Sequence, residues 1–214
     1  MMKRKYRLAK LNSFYKVSMR RKYLYKYFCK SRSFKANFSE SQFCHVNFRG
    51  AIMTACVFKK CNFYGVEFLG TNLRKSNFEG SHFKNTMFVG ALLDKCKLRG
   101  CTFENVLFVN TNLDDVKSLN KETPGVTILS EYPKLDISIE LKSALDELKS
   151  NNNITKCRVL HLSGNRYNNL NINMLLDKYS EKDLIGGLKS LKEIKKDICT
   201  LSCLIKNLNS ALNM

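Results

Sequence analysis

The sequence predicts a mainly β fold: a four-sided solenoid with a basic arm before it and a largely α-helical region after it. Three observations carry this prediction. From residue 36 to residue 115 a large apolar residue recurs at every fifth position, from Phe38, Phe43, Phe48 and Met53 through to Phe103, Phe108 and Leu113. A small residue stands two places before each, as in Ala36, Ser41, Val46, Ala51, Cys56 and Cys61. Every fourth large residue is Met or Leu rather than Phe: Met53, Leu73, Leu93 and Leu113.

Residues 36–115 are the element these counts describe. A helix repeats its apolar face every 3.6 residues and a strand every 2, so neither gives a period of five. A chain that turns one corner per repeat does, with one large and one small side chain pointing inward on each side. Such repeats bury an apolar face only by stacking on neighbours. The second period, twenty residues, sets four repeats per coil. The small positions agree, as in the column Val46, Val66, Thr86, Val106. Four coils at strand spacing rise about 19 Å in all. Gly50, Gly65, Gly70, Gly80, Gly90 and Gly100 fall two places after a large residue, where a corner strains any other backbone.

These residues resemble the pentapeptide-repeat family, whose pattern A(D/N)LXX reads here as Ala36-Asn37-Phe38, Thr71-Asn72-Leu73, Ser76-Asn77-Phe78 and Thr111-Asn112-Leu113. The resemblance implies a right-handed quadrilateral β-helix. It implies little about function, because that scaffold is put to many uses.

Residues 1–35 are expected to form a basic aromatic arm or N-terminal cap. They hold 13 Lys and Arg and no Asp or Glu, whereas residues 36–115 hold 9 basic and 7 acidic residues. The arm therefore carries most of the formal charge of +19. Its candidate polyanion-binding residues are Lys3, Arg4, Lys5, Arg7, Lys10, Lys16, Arg20, Arg21, Lys22, Lys26, Lys30 and Arg32. Tyr6, Phe14, Tyr15, Tyr23, Tyr25, Tyr27, Phe28 and Phe34 are interleaved with them. A basic amphipathic helix covering Phe38, Phe43 and Phe48 is one expectation. A nucleic acid or nucleoprotein partner is a second, since cations release counterions from phosphates and aromatic rings stack on bases. An anionic membrane surface is a third, and a transit peptide a fourth.

Residues 116–135 contain Pro124 and Pro133 and read as an exit loop and linker, with a short strand at 125–129. Residues 136–214 read as mostly helical. Ile137 to Leu148 has helical spacing, Asn168 to Lys178 forms a short helix, and Cys157 to Leu162 is a strand or a buried turn. Leu191, Ile194, Ile198, Leu201, Ile205, Leu208 and Leu212 alternate steps of three and four, which predicts one heptad helix over 184–214. That helix packs on its own domain or pairs with a partner, including a second copy of the chain.

Chemistry is hard to find in this sequence. His45 and His82 fall on outward solenoid positions, and His161 lies in an apolar stretch. No P-loop, G-x-G-x-x-G, H-E-x-x-H or G-x-S-x-G is present. Cys56 and Cys96 are separated in their column by Ser76, and Cys61 and Cys101 by Ser81, so disulfides would have to span a coil. They read as small buried fillers in a reducing cytoplasm. No cofactor, metal or small-molecule substrate is expected, and the chain reads as a non-enzymatic binding scaffold. The alternatives are a bacterial effector, secreted or acting in defence, and a DNA gyrase-protecting protein. The resemblance implies a negatively charged, DNA-like surface for the latter, and a basic arm disfavours it.

Overall fold

The protein is described from a computed structural model covering residues 18–116 and 118–213. Chain contacts divide it into two units, Met1–Ser130 and Glu131–Met214.

The first unit is a β-solenoid of about five turns. Strands β1 (Lys22–Leu24), β3 (Gln42–Cys44), β5 (Asn62–Tyr64), β7 (His82–Lys84) and β9 (Thr102–Glu104) stack in parallel as one sheet. Strands β6 (Glu67–Leu69), β8 (Met87–Val89), β10 (Val106–Val109) and β11 (Val126–Leu129) form a second. Strands β2 (Arg32–Phe34) and β4 (Ile52–Thr54) pair on another face. Every pairing between these strands has a register of twenty, as in Tyr23↔Phe43, Phe43↔Phe63 and Phe108↔Ile128. Positive φ recurs at every fifth residue from Arg20 to Asn110, so each turn has four corners.

Two sets of side chains hold the turns together. Large residues stack on their counterparts one turn away: Phe38–Phe58 at 5.0 Å, Phe43–Phe63 at 5.0 Å and Phe88–Phe108 at 4.7 Å between ring centroids. The small residues were selected for more than size. Ser76 and Ser81 donate their hydroxyls to the carbonyls of Met53 and Phe58 at 2.8 and 2.6 Å. Cys61 and Cys96 donate their thiols to Phe38 and Leu73 at 3.1 and 2.9 Å. Serine, threonine and cysteine are thus alternative donors to the carbonyl 23 residues earlier. All nine cysteines are free. Burial pushes the Cys56 and Cys101 thiols up to about 11, and those of Cys61 and Cys96 to about 12.

The expected boundaries of the solenoid need correcting at both ends. Residues 18–35 are not a helical arm: they form a turn of the solenoid, with β1 and β2 in it. Tyr23 stacks on Phe43 at 4.8 Å, and Phe28 lies 5.6 Å from Phe48. These residues therefore cover the phenylalanines that the repeat would otherwise expose, but as strands. At the other end, β11 lies inside the expected linker and continues the second sheet. Outward positions along that sheet are withdrawn from solvent, namely Asn47, Glu67, Met87, Val89, Leu107 and Val109. His45, expected to face outward, is 2% exposed and stacks on Tyr25 at 5.0 Å.

The second unit is helical. Helix α1 (Ile139–Glu147) is capped by Ser138, whose hydroxyl accepts from the Leu141 N–H, and it buries Leu141, Ala144 and Leu145. Asn151 and Asn168 cap α2 (Asn152–Thr155) and α3 (Asn169–Leu176) in the same manner. Helix α4 (Glu181–Ser190) is capped by Ser180 and α5 (Leu201–Leu212) by Thr200. The expected single helix over 184–214 is therefore two helices. Asn151 and Asn153 donate their side-chain amides to the carbonyls of Lys192 and Ile194, and the Ile198 N–H donates to the Asn153 carbonyl. These bonds hold the segment between α4 and α5 out of the helix that its heptad spacing favours. Gly186 and Gly187 do not break α4. A Cβ on Gly187 would stand 2.9 Å from Leu208, so glycine lets α4 and α5 approach.

Two contrasts in denaturation midpoints test this packing. A Cβ on Gly125 would stand 2.2 Å from the Phe103 carbonyl oxygen, at φ +75. Gly125→Ala is expected to destabilise the solenoid by about 3 kcal/mol or more, against about 1 kcal/mol for Gly90→Ala, where the methyl meets nothing. In α4, Gly186→Ala is expected to stabilise by about 0.5–1 kcal/mol, while Gly187→Ala loses that gain to the clash with Leu208.

Candidate polyanion interface

The turn formed by residues 18–35 carries seven Lys and Arg and no carboxylate. Its cations are spread around the turn rather than along one helix face. Arg20, Lys30 and Lys35 sit at corners with positive φ. Lys22 and Arg32 lie on outward positions of β1 and β2. Arg21 and Lys26 occupy two of the four small columns, in register with Ser41 and Val46, yet both are exposed. Of these, Arg20 is committed to Glu40, with Nε donating at 2.9 Å. The candidates Lys3, Arg4, Lys5, Arg7, Lys10 and Lys16 lie outside the described residues. Lys35, one residue beyond the candidate set, belongs to the same turn, and its place in the five-residue count after Lys30 was the signal for it.

Fewer aromatic rings are available than the sequence offers. Phe28 is buried, and Tyr23 is half-buried against Phe43, where burial raises its hydroxyl above the usual tyrosine range. Tyr27 accepts from Arg49 at 2.5 Å. Phe34 and Tyr25 remain 56% and 44% exposed, and the Lys35 ammonium lies 5.1 Å from the Phe34 ring centre. The turn thus presents point charges with two accessible rings among them, a surface suited to phosphate oxygens and stacked bases.

Three acidic groups elsewhere on the wall are neutralised one turn away. Glu79 pairs with Lys59 at 2.8 Å, Asp94 with Arg74 at 2.8 Å and Glu104 with Lys84 at 2.6 Å. The hydrogen bond from the cation holds the Glu40, Glu79 and Asp94 carboxyls below their usual range. Each pair is exposed and contributes little stability. Their consequence is electrostatic, since they leave no acidic face between residues 36 and 104.

The proposed partner helix has no free seam. Leu191, Ile198, Leu201 and Leu208 are buried within the second unit, and Ile194, Ile205 and Leu212 are half-buried. Those side chains are spent on packing inside the unit, so they do not form one apolar stripe on one helix. The histidines are likewise dispersed. His82 Nδ1 meets the Thr102 hydroxyl at 2.6 Å, and His161 is buried beside Tyr167, with ring centres 5.9 Å apart. Tyr167 donates its hydroxyl to Asp146 at 2.6 Å, and Asp146 also pairs with Lys149 at 2.7 Å. No helix among the described residues is long and apolar enough to cross a membrane.

Comparison with known proteins finds one family model that matches part of the chain. A sequence model described as pentapeptide repeats matches in eight copies, over residues 36–74, 61–100 and 88–117. Among solved structures, the chain is similar to a pentapeptide repeat protein from the Arabidopsis thaliana thylakoid lumen, at 18% identity over 47% of this chain, with a TM-score of 0.30. The match spans 63% of that protein. Rfr23, a pentapeptide repeat protein of the cyanobacterium Cyanothece 51142, is 15% identical over 44% of this chain and 86% of its own, with a TM-score of 0.26. QnrB1, a plasmid-mediated fluoroquinolone resistance protein, is 15% identical over 55% of this chain and 95% of its own, with a TM-score of 0.23. No curated protein sequence matches the chain.

Burial, and then the neighbouring Lys149, hold His161 below its ordinary value of about 6.5. The unfolded chain therefore binds a proton that the folded unit refuses. Stability is full above about pH 6.5 and falls as the pH drops below it. Urea titrations followed by helical circular dichroism at pH 7 and pH 5 are expected to show this loss in the wild type. His161→Gln is expected to remove it.

Proposed function

We infer that this chain, whose residues 36–117 belong to the pentapeptide-repeat family, is a non-enzymatic binding scaffold that docks nucleic acid through the basic start of its solenoid. In this reading the scaffold is a right-handed quadrilateral β-helix, filled by its own side chains, and its work is done on outer surfaces. The observation that carries it is the acid-free turn of residues 18–35, with Arg21, Lys22, Lys26, Lys30, Arg32 and Lys35 all exposed. Capping the stack requires the apolar contacts of Tyr23 and Phe28. It does not require seven cations in one turn. Gyrase protection by an acidic, DNA-like surface is disfavoured, because Glu40, Glu79, Asp94 and Glu104 are each matched by a cation.

Fluorescence anisotropy with labelled DNA and RNA, between about 50 and 200 mM salt, tests the reading. The wild type is expected to bind at low salt and to weaken as salt rises. Arg21→Glu, Lys22→Glu and Lys26→Glu combined are expected to lower affinity at least about tenfold and to flatten the salt dependence. The melting temperature should hold, since all three side chains are exposed. Absence of binding at low salt, or binding indifferent to salt, would sink the proposal. Binding to anionic vesicles but not to nucleic acid would replace it with a membrane surface.

A further inference from the structure

We propose that one side of the solenoid wall is a second contact surface, a cationic ridge that receives the backbone of double-stranded DNA. The proposal rests on the nucleic-acid reading above and names the duplex as its form. The ridge occupies the face bearing Asn37, Val57, Asn77 and Lys97, which bridge in that order from turn to turn, together with its two corners. One corner column reads Lys35, Ala55, Lys75, Lys95, with the Lys35, Ala55 and Lys75 N–H groups donating to Thr54, Arg74 and Asp94 of the next turn. The other reads Arg20, Glu40, Lys60, Gly80, Gly100. Gly80 leaves space for the lysine stem above it: the Lys60 Cγ lies 3.5 Å from where a Cβ on Gly80 would stand.

Among the described residues Lys35, Lys60, Lys75, Lys95, Lys97 and Arg99 are exposed and make no ion pair. The carboxylates on this side are Glu40 and Glu79, already paired with Arg20 and Lys59, and Asp115 at the far end of the lysine column. Past the first turn, which brings Lys26 and Lys30 to it, the opposite face carries Arg49 as its cation and has outward residues withdrawn from solvent, among them Asn47, Glu67, Met87 and Val89. A wall that is nearly neutral in sum is therefore positive on one side.

The ridge suits a regular, stiff polyanion. Lys35 to Lys95 spans three turns, about 14 Å at strand spacing. That length matches about four phosphates of one duplex strand at about 3.4 Å each. The cations stand on a hydrogen-bonded frame, so their spacing is fixed before binding. The side-chain oxygens of Asn37 and Asn77 accept from the Ser39 and Glu79 N–H groups at 3.0 and 2.9 Å, which fixes these side chains on the frame. The match to a rise of about 3.4 Å per phosphate selects a DNA duplex.

The test compares two triple variants of the full chain by anisotropy with a short labelled DNA duplex. Lys75→Gln, Lys95→Gln and Lys97→Gln combined are expected to lower the slope of log affinity against log salt by about 2 to 3. Lys142→Gln, Lys182→Gln and Lys189→Gln remove the same charge from the helical unit and are expected to leave the slope unchanged. The arginine counterparts of the ridge variant are expected to keep wild-type binding. Equal slopes for the two glutamine variants overturn the ridge. If the wild type still binds and the Arg21, Lys22, Lys26 variant does not, the first-turn reading survives that result. A wild type that binds no nucleic acid fails both. An RNA duplex held as tightly as DNA, and lost equally from the ridge variant, overturns the choice of DNA.

Discussion

The structure depends on one coincidence of lengths. Parallel strands stack at about 4.8 Å, and aromatic rings stack at nearly the same spacing. A phenylalanine placed every twenty residues therefore satisfies both constraints at once. The column Phe43, Phe63, Phe83, Phe103 has centroid separations of 5.0, 4.8 and 5.5 Å, with rings tilted by less than ten degrees. Neighbouring columns meet edge to face, as Phe43 meets Phe58 at 6.0 Å. Each ring thus has partners above, below and beside it. Changing one removes contacts from two adjacent turns, which ties stability to neighbours rather than to the whole.

A filled interior moves function outward. With Phe38, Phe48, Phe58 and Phe68 all buried, the lumen is occupied by side chains, and inward hydroxyls such as those of Thr71 and Ser76 donate to backbone carbonyls. The buried thiols are held protonated by the same desolvation that packs them, which makes them poor nucleophiles. What remains for chemistry is the outer side of each strand and the corner residue, two kinds of position that packing leaves unconstrained. Selection can vary those freely, and here it has paired Glu40, Glu79, Asp94 and Glu104 while leaving many cations unmatched.

The five-residue count made residues 36–115 legible because every inward position there obeys it. It failed at residues 18–35 for an identifiable reason. Arg21 and Lys26 stand in the small columns and Ser33 in a large one, so the inward pattern is lost while the corners at Arg20, Tyr25, Lys30 and Lys35 persist. A corner count, had the glycine positions been extended to lysine and tyrosine, would have found the extra turn. At the other end Ser118 replaces a large residue and Leu119 is buried instead, which hides the return to register at Val126. In the second unit α1 and α3 follow local spacing and caps. The break before α5 does not, because Asn151 and Asn153 act from some forty residues away.

Net charge shows why the surface was harder to read than the core. A sum over residues 36–115 mixes four faces that never meet. The twenty-residue register separates them, since residues whose numbers differ by twenty share one vertical line. Sorted this way, Lys35, Lys75 and Lys95 fall on one edge, and Arg49 stands across from them with Glu67. A rigid, filled solenoid turns arithmetic on residue numbers into positions in space. The surface chemistry is then as determinate as the core, because no loop rearrangement is needed to bring the charges together. An electrostatic partner meets a surface whose entropy cost was met during folding, and preorganised cations bind a stiff polyanion more tightly than the same cations on a flexible arm.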